Sequence, residues 1–249
     1  MDIPYKKVSF SFWITRRCRN KCNWCCACAG EDQCDSDMDE NDVSECFSNI
    51  RHCMGLGLRL KDVHIIGGNP SCHPRFRDIA EKIAFEAGEI GLRSVVFTSD
   101  GMSYEDFLFL QEIGCKVVNS PIKDKRHYPM PFDYLKHGYK AIGNVCNPNG
   151  WNHCNGIGAV KMNGKLVFSW CNICSVFMML FGHLDRFPDM NDSLEHAISM
   201  KSRQTMSCEY CRFCPIKFKG IKPRLLRDLS VMRLTKTRDL AAAVARGDV

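Results

Sequence analysis

Short apolar, β-branched runs alternate with helix-like stretches over most of the first 146 residues. This alternation restricts the possible folds more than any other feature of the sequence. The strand-like runs are Val8–Thr15, Val63–Ile66, Ser94–Thr98 and Lys116–Val118, with a weaker one at Asn144–Cys146; the helix-like segments are 39–55, 76–90, 103–113 and 131–142. Gly57, Gly91, Gly114 and Gly143 fall where those helices should end, as suits a residue that accepts positive φ beyond a last turn. Strands alternating with helices predict a parallel sheet built from βα units. Five units are too few to close an eight-stranded barrel. The expected fold is therefore α/β, an open, partial (β/α) barrel of about five to six parallel strands. Its site is expected at the C-terminal strand ends.

The pattern changes after Pro148. "GAVKMNGKLVFSW" (158–170) reads as two β runs around Asn163-Gly164, a dipeptide whose tolerance of positive φ makes it a strong hairpin signal. A helix is expected at about 190–203, followed by "SCEYCRFCP". The chain thus divides into a core (1–148), a cysteine-rich β-hairpin and helix appendage (149–216) and a basic tail (217–249). The tail holds nine Lys/Arg against three Asp, which accounts for the whole formal charge of +6. Such a tail can meet an anionic partner. It also reads as an amphipathic helix docking through Leu225, Leu226, Leu229, Met232 and Leu240.

No run of about twenty apolar residues is present, so no membrane partner is expected. The start "KKVSFSFWIT" lacks the small-residue cleavage site of a signal peptide, and a cytoplasmic location is expected. Seventeen cysteines is then a large and odd number. A disulfide framework belongs to oxidising compartments and small secreted domains. Metal or cluster ligation is the better reading.

Five of these thiols crowd "RRCRNKCNWCCACAG" (16–30), and Cys18, Cys22 and Cys25 make the spacing C-x3-C-x2-C. A structural zinc site is closed by four protein ligands. Three thiolates on a [4Fe–4S] cluster leave one iron open to a small molecule. The cysteines start three residues after the first strand ends, in what would be the first βα loop, with Trp24 beside the third ligand. Zinc or a ferredoxin-type cluster completed by Cys26 or Cys28 is the alternative.

With its aromatic residue before the last cysteine, this loop resembles the cluster loop of the radical S-adenosylmethionine (radical SAM) superfamily. "HIIGGNPSCHP" (64–74) is similar to that family's Gly-Gly-Glu-Pro stretch, with Asn69 where glutamate is usual. The resemblance implies that Gly67, Gly68, Asn69 and Pro70 meet the amino group of the SAM methionine. It also implies that Ser99 and Asp100 in "FTSDG" and Ser120 in "VNSP" contact its carboxylate and ribose. The SAM-binding set so implied includes Trp24.

The appendage carries Cys154, Cys171, Cys174, Cys208, Cys211 and Cys214. Two ligands flanking a hairpin and a C-x2-C after a helix can enclose one metal centre; a four-cysteine zinc ribbon fits the same spacings. This region resembles the SPASM and twitch extensions of radical SAM enzymes, the aminocyclitol dehydrogenases in particular. The likeness implies an auxiliary [4Fe–4S] cluster on Cys154, Cys171, Cys208 and Cys211, with Cys174 or Cys214 as substitutes. It further implies a 5′-deoxyadenosyl radical that abstracts hydrogen, then oxidation, epimerisation or cross-linking, with an electron donor such as a flavodoxin or ferredoxin. Cys72, just after the Gly-Gly-Asn-Pro turn, is the candidate hydrogen donor; Cys115 reads as core. The first cluster cysteine lies at residue 18. A small sugar-like or aminocyclitol substrate is therefore expected, with a peptide as the alternative. A non-enzymatic cluster or zinc module whose tail binds nucleic acid is the remaining class.

Overall fold

A computed structural model describes residues 7–19, 36–98, 102–119, 156–162, 164–169, 193–195 and 198. The fold is mixed α/β, with a six-stranded, mostly parallel sheet. In chain order the elements are β1 (Val8–Thr15), α1 (Glu40–Gly55), β2 (Leu60–Gly67), α2 (Phe76–Glu89), β3 (Arg93–Thr98), α3 (Tyr104–Glu112), β4 (Lys116–Asn119), β5 (Gly156–Met162) and β6 (Lys165–Ser169). The strand order is β4-β3-β2-β1-β5-β6. Among the described strand pairs only β5–β6 is antiparallel.

Two of the three described helices, α1 and α3, start at a side-chain cap. The Asp39 side chain accepts from the Asn41 and Asp42 amides, while Asp42 reaches back to the Asp39 amide, a reciprocal capping box. Ser103 caps α3 through the Asp106 amide. Val43, Cys46, Phe47, Ile50 and Cys53 of α1 and Phe76, Ile79, Ala80, Ile83 and Ala87 of α2 are buried. They form one cluster with Phe10, Phe12 and Ile14 of β1, Val63 and Ile65 of β2, Val96 of β3 and Leu110 of α3. All three helices therefore cover the same face. Over β1–β4, neighbouring strands with crossovers on one side make a single winding direction, as right-handed βαβ connections produce, and β5 joins on the other side of β1.

The other face is built differently. Residue by residue, register places Ser9, Ser11 and Trp13 of β1 beside Asp62, His64 and Ile66 of β2, and Arg93 and Val95 of β3 beside Asp62 and His64. A parallel sheet covered by helices on both sides is apolar on both. Here the second face begins polar at the strand starts and becomes aromatic and aliphatic toward their ends.

The Asn-Gly hairpin expected from the sequence is β5–β6, with Gly164 at φ +75°. It does not stand apart from the sheet: β5 pairs in parallel with β1, from Ser9↔Gly156 to Trp13↔Val160. Lys161 on β5 also bonds Asp42 (2.7 Å) and Asp39 (3.2 Å) at the start of α1. Leu194 and Ile198, inside the expected 190–203 helix, join the core, and the Leu194 amide donates to Asn49 of α1. The expected helix at 131–142, the strand at Asn144–Cys146 and the basic tail lie outside the described residues. Among the described residues, no helix is long and apolar enough to cross a membrane.

Candidate functional site

The C-terminal end of β1 is where the cysteine-rich loop begins, and the chain is pinned there from two sides. A register shift between Trp13 and Thr15 opposite β2 marks a bulge, which re-aims a strand end. From the first side, residues 36–38 close the base of the loop. The Thr15 hydroxyl donates to Asp37 Oδ1 (2.5 Å), Arg17 Nε donates to Asp37 Oδ2 (2.7 Å), the Arg16 amide donates to Ser36 Oγ (2.9 Å) and the Met38 amide donates to Ile14 O (2.8 Å). One carboxylate thus holds a hydroxyl and a guanidinium at once, bonds that charge makes short and strong.

From the second side comes the Gly-Gly-Asn-Pro turn after β2. The Gly68 amide donates to Thr15 O (3.0 Å) and the Asn69 amide to Arg17 O (2.9 Å). This requires the two backbones to nearly touch: a Cβ on Gly67 would lie 2.4 Å from Thr15 O. The missing side chain of Gly67 is therefore used by the β1 backbone. The Gly68 and Asn69 amides are thus taken by the loop base, and the Asn69 and Pro70 carbonyls accept the Cys72 and His73 amides.

Asn69 is buried and caps the 3₁₀ turn Pro70–Cys72. Its Oδ1 accepts from the Ser71 amide (3.3 Å), the Ser71 hydroxyl (3.0 Å) and Thr98 Oγ1 (3.4 Å) at the end of β3. An amide oxygen suffices for this cap and ties three strand ends into one rim. His73 closes the turn from behind. Its Nε2 lies 2.9 Å from Met38 O and its Nδ1 accepts the Arg75 amide. These bonds fix the neutral imidazole with Nε2–H donating, and burial lowers its pKa in the same sense.

Cys18 follows directly from this clamp and is buried. Gly67, Gly68, Asn69, Pro70 and Cys72 gather at the same rim, with Cys72 half-buried and its amide bonded to Asn69 O (2.9 Å). Cys22, Trp24, Cys25, Cys26, Cys28, Cys34, Ser99, Asp100, Ser120, Cys154, Cys171, Cys174, Cys208, Cys211 and Cys214 lie outside the described residues. Among the described residues, no three His, Cys, Asp or Glu side chains form a metal site. Cys46, Cys53 and Cys115 are core thiols: burial pushes Cys46 well up, Cys53 to about 12 and Cys115 up, with Cys115 Sγ 3.1 Å from Ser94 Oγ. They act as small apolar filler.

Sequence reasoning missed Thr15, Ser36, Asp37 and His73. The Ser-x-Met-Asp stretch before α1 announces a helix cap, but nothing in its spacing tells which acid turns back to β1. One row below the rim, the indole N–H of Trp13 is buried and has no hydrogen-bond partner among the described residues. Such an orphan donor costs about 1–3 kcal/mol and suits a face that receives a ligand carrying acceptors. Comparison with protein-family models, with curated proteins and with solved structures finds no match for this chain.

Proposed function

We propose that the chain is a radical SAM enzyme built on a partial (β/α) barrel, acting on a small, sugar-like or aminocyclitol substrate by oxidation or epimerisation. The observation that carries this reading is the pinned junction: a three-cysteine loop leaves β1 against a Gly-Gly-Asn-Pro turn leaving β2, at the C-terminal ends of parallel strands. The single winding of β1–β4, with all described helices on one face, supports the barrel, because a barrel interior needs no helix cover.

The described part fits the group the loop would hold. Cys18 emerges from a base fixed by several hydrogen bonds. The glycine turn brings backbone close with no Cβ in the way. Cys18, Cys22 and Cys25 would hold the cluster, and Cys154, Cys171, Cys208 and Cys211 an auxiliary one. When bound, a [4Fe–4S] cluster with an open iron and SAM supply a 5′-deoxyadenosyl radical that removes a hydrogen atom from substrate.

The chain's own residues do the positioning. Thr15, Arg17 and Asp37 keep the loop base from drifting. The carbonyls of Gly67 and Gly68 receive the methionine ammonium, and Trp24 belongs to the same SAM-binding set. Ser99, Asp100 and Ser120 follow β3 and β4 and bind the remaining polar groups of SAM. Cys72, on the rim behind Asn69, is the hydrogen donor if the outcome is epimerisation. An electron donor such as a flavodoxin or ferredoxin completes the cycle.

The test is spectroscopic. The anaerobically reconstituted and reduced chain should show an electron paramagnetic resonance signal that changes on adding SAM, because only an open iron takes a new ligand. Iron and sulfide should approach about eight of each per chain, as two four-iron clusters require. Zinc in place of iron, or a signal indifferent to SAM, overturns the reading.

A further inference from the structure

A cavity of about 290 Å³ opens on the face that α1–α3 leave uncovered, lined by Ser9, Asp62, His64, Arg93 and Lys116 among others. The volume is at the small end of the roughly 300–1,000 Å³ of ligand pockets. It reaches the N-terminal ends of the strands. Asp62 is five residues before Gly67 on β2, about 16 Å away along a strand. The cavity's polar end is thus separate from the cysteine-loop rim, and nothing argued for it depends on radical chemistry.

Asp62 is 6% exposed, yet its Oδ1 accepts no hydrogen bond from the described residues. His64 Nε2 lies 3.0 Å from that oxygen, at ion-pair distance. Lys61 Nζ is 3.8 Å from the other oxygen. The His64 ring rests edge-on against Phe97, with centroids 4.8 Å apart, and its burial favours the neutral form. A buried carboxylate oxygen whose one near neighbour among the described side chains is a neutral imidazole has room for a hydroxyl donor from an occupant.

The charges around it decide what kind of occupant. Lys61, Arg93 and Lys116 line the cavity and are exposed. Three cations face one carboxylate, so the mouth attracts an anion and opposes a cationic ligand. Arg93 is the register partner of Asp62 across β2–β3, which puts anion recognition one strand from the orphan acceptor. A planar guanidinium suits phosphate in particular.

We propose that this cavity binds a small phosphorylated polyol, with its phosphate against Arg93, Lys61 and Lys116 and a hydroxyl donating to Asp62 Oδ1. Titration calorimetry of the full, anaerobically purified chain with ribose 5-phosphate tests it, with ribose and inorganic phosphate as separate arms. Ribose 5-phosphate should bind at least about tenfold more tightly than either fragment, and Asp62→Ala and Arg93→Gln should each cost at least about tenfold, as losing one hydrogen-bonded contact to a charged group predicts. Inorganic phosphate binding as tightly as the sugar phosphate, unchanged affinity in Arg93→Gln, or no binding to the intact chain overturns the proposal. So does Asp62→Ala that melts higher but binds equally well, because Asp62 would then belong to the fold alone. If Asp62→Ala does not fold, the exposed Arg93→Gln decides.

Discussion

Replacing Gly67 by alanine should damage the rim without touching a side chain. The added Cβ would stand 2.4 Å from Thr15 O, with Thr15 C and Cγ2 at 3.4 Å. The obstacle is backbone, not a flexible tip, so β1 and β2 must part by about 1 Å to reach ordinary contact. Overpacking of this kind costs about 1–3 kcal/mol. The movement also stretches the Gly68 N to Thr15 O and Asn69 N to Arg17 O bonds, now 3.0 and 2.9 Å, each worth about 0.5–1.5 kcal/mol net. The expected destabilisation is about 3 kcal/mol, a fall in Tm of about 6–12 °C for a chain of this length. Gly88→Ala is the control: Gly88 is in α2 with nothing within 4 Å of its would-be Cβ, and alanine there should stabilise by up to about 1 kcal/mol. Both are read by calorimetric or circular-dichroism melting of identically prepared samples. A Gly67→Ala variant that melts with the wild type would refute the claim that the two backbones are in contact at the rim.

The remaining expectations concern the same junction. Asp37→Asn keeps the shape but removes the charge shared by Thr15 and Arg17; it should cost about 1 kcal/mol in denaturant unfolding and lower the iron retained per chain. Burial depresses the pKa of His73 below the ordinary imidazole value of about 6.5, so the unfolded chain binds the extra proton first. Stability should be intact above about pH 6.5 and fall as pH drops toward the lower folded value. His73→Gln should flatten that slope, and an unchanged slope would clear His73 of the effect. Cys18→Ala, Cys22→Ala and Cys25→Ala should each abolish the SAM-sensitive signal, whereas Cys26→Ala and Cys28→Ala should keep it. Loss of the signal in Cys26→Ala as complete as in Cys25→Ala would overturn the ligand assignment.

The local elements were readable because local rules decide them. The helix-like segments 39–55 and 103–113 begin at the caps Asp39 and Ser103, and Gly57, Gly91 and Gly114 follow the ends of α1, α2 and α3, all with positive φ. The strand β2 was read too short, from Val63, because Lys61 and Asp62 interrupt the apolar run. The structure explains those residues: Asp62 stands on the polar face, where a strand need not be apolar. What pairs with β1 was not legible. Its second neighbour is β5, about 150 residues later, and period-two patterning says which face a residue takes but not which distant strand lies beside it. The loop clamp escaped for the same reason, since Thr15 and Asp37 meet across 22 residues with no motif to announce it. The Gly-Gly-Asn-Pro turn was legible as a close backbone approach. Its first partner turned out to be the β1 backbone.

The most direct measurement of the central claim is turnover of SAM itself. The reconstituted chain should be incubated anaerobically with SAM and a strong one-electron reductant, and 5′-deoxyadenosine and methionine quantified by mass spectrometry beside the Cys18→Ala variant. Both products in equal amounts from the wild type, and neither above background from Cys18→Ala, is the predicted result. A wild-type chain that carries a reduced four-iron cluster on this loop yet releases no 5′-deoxyadenosine would contradict the account.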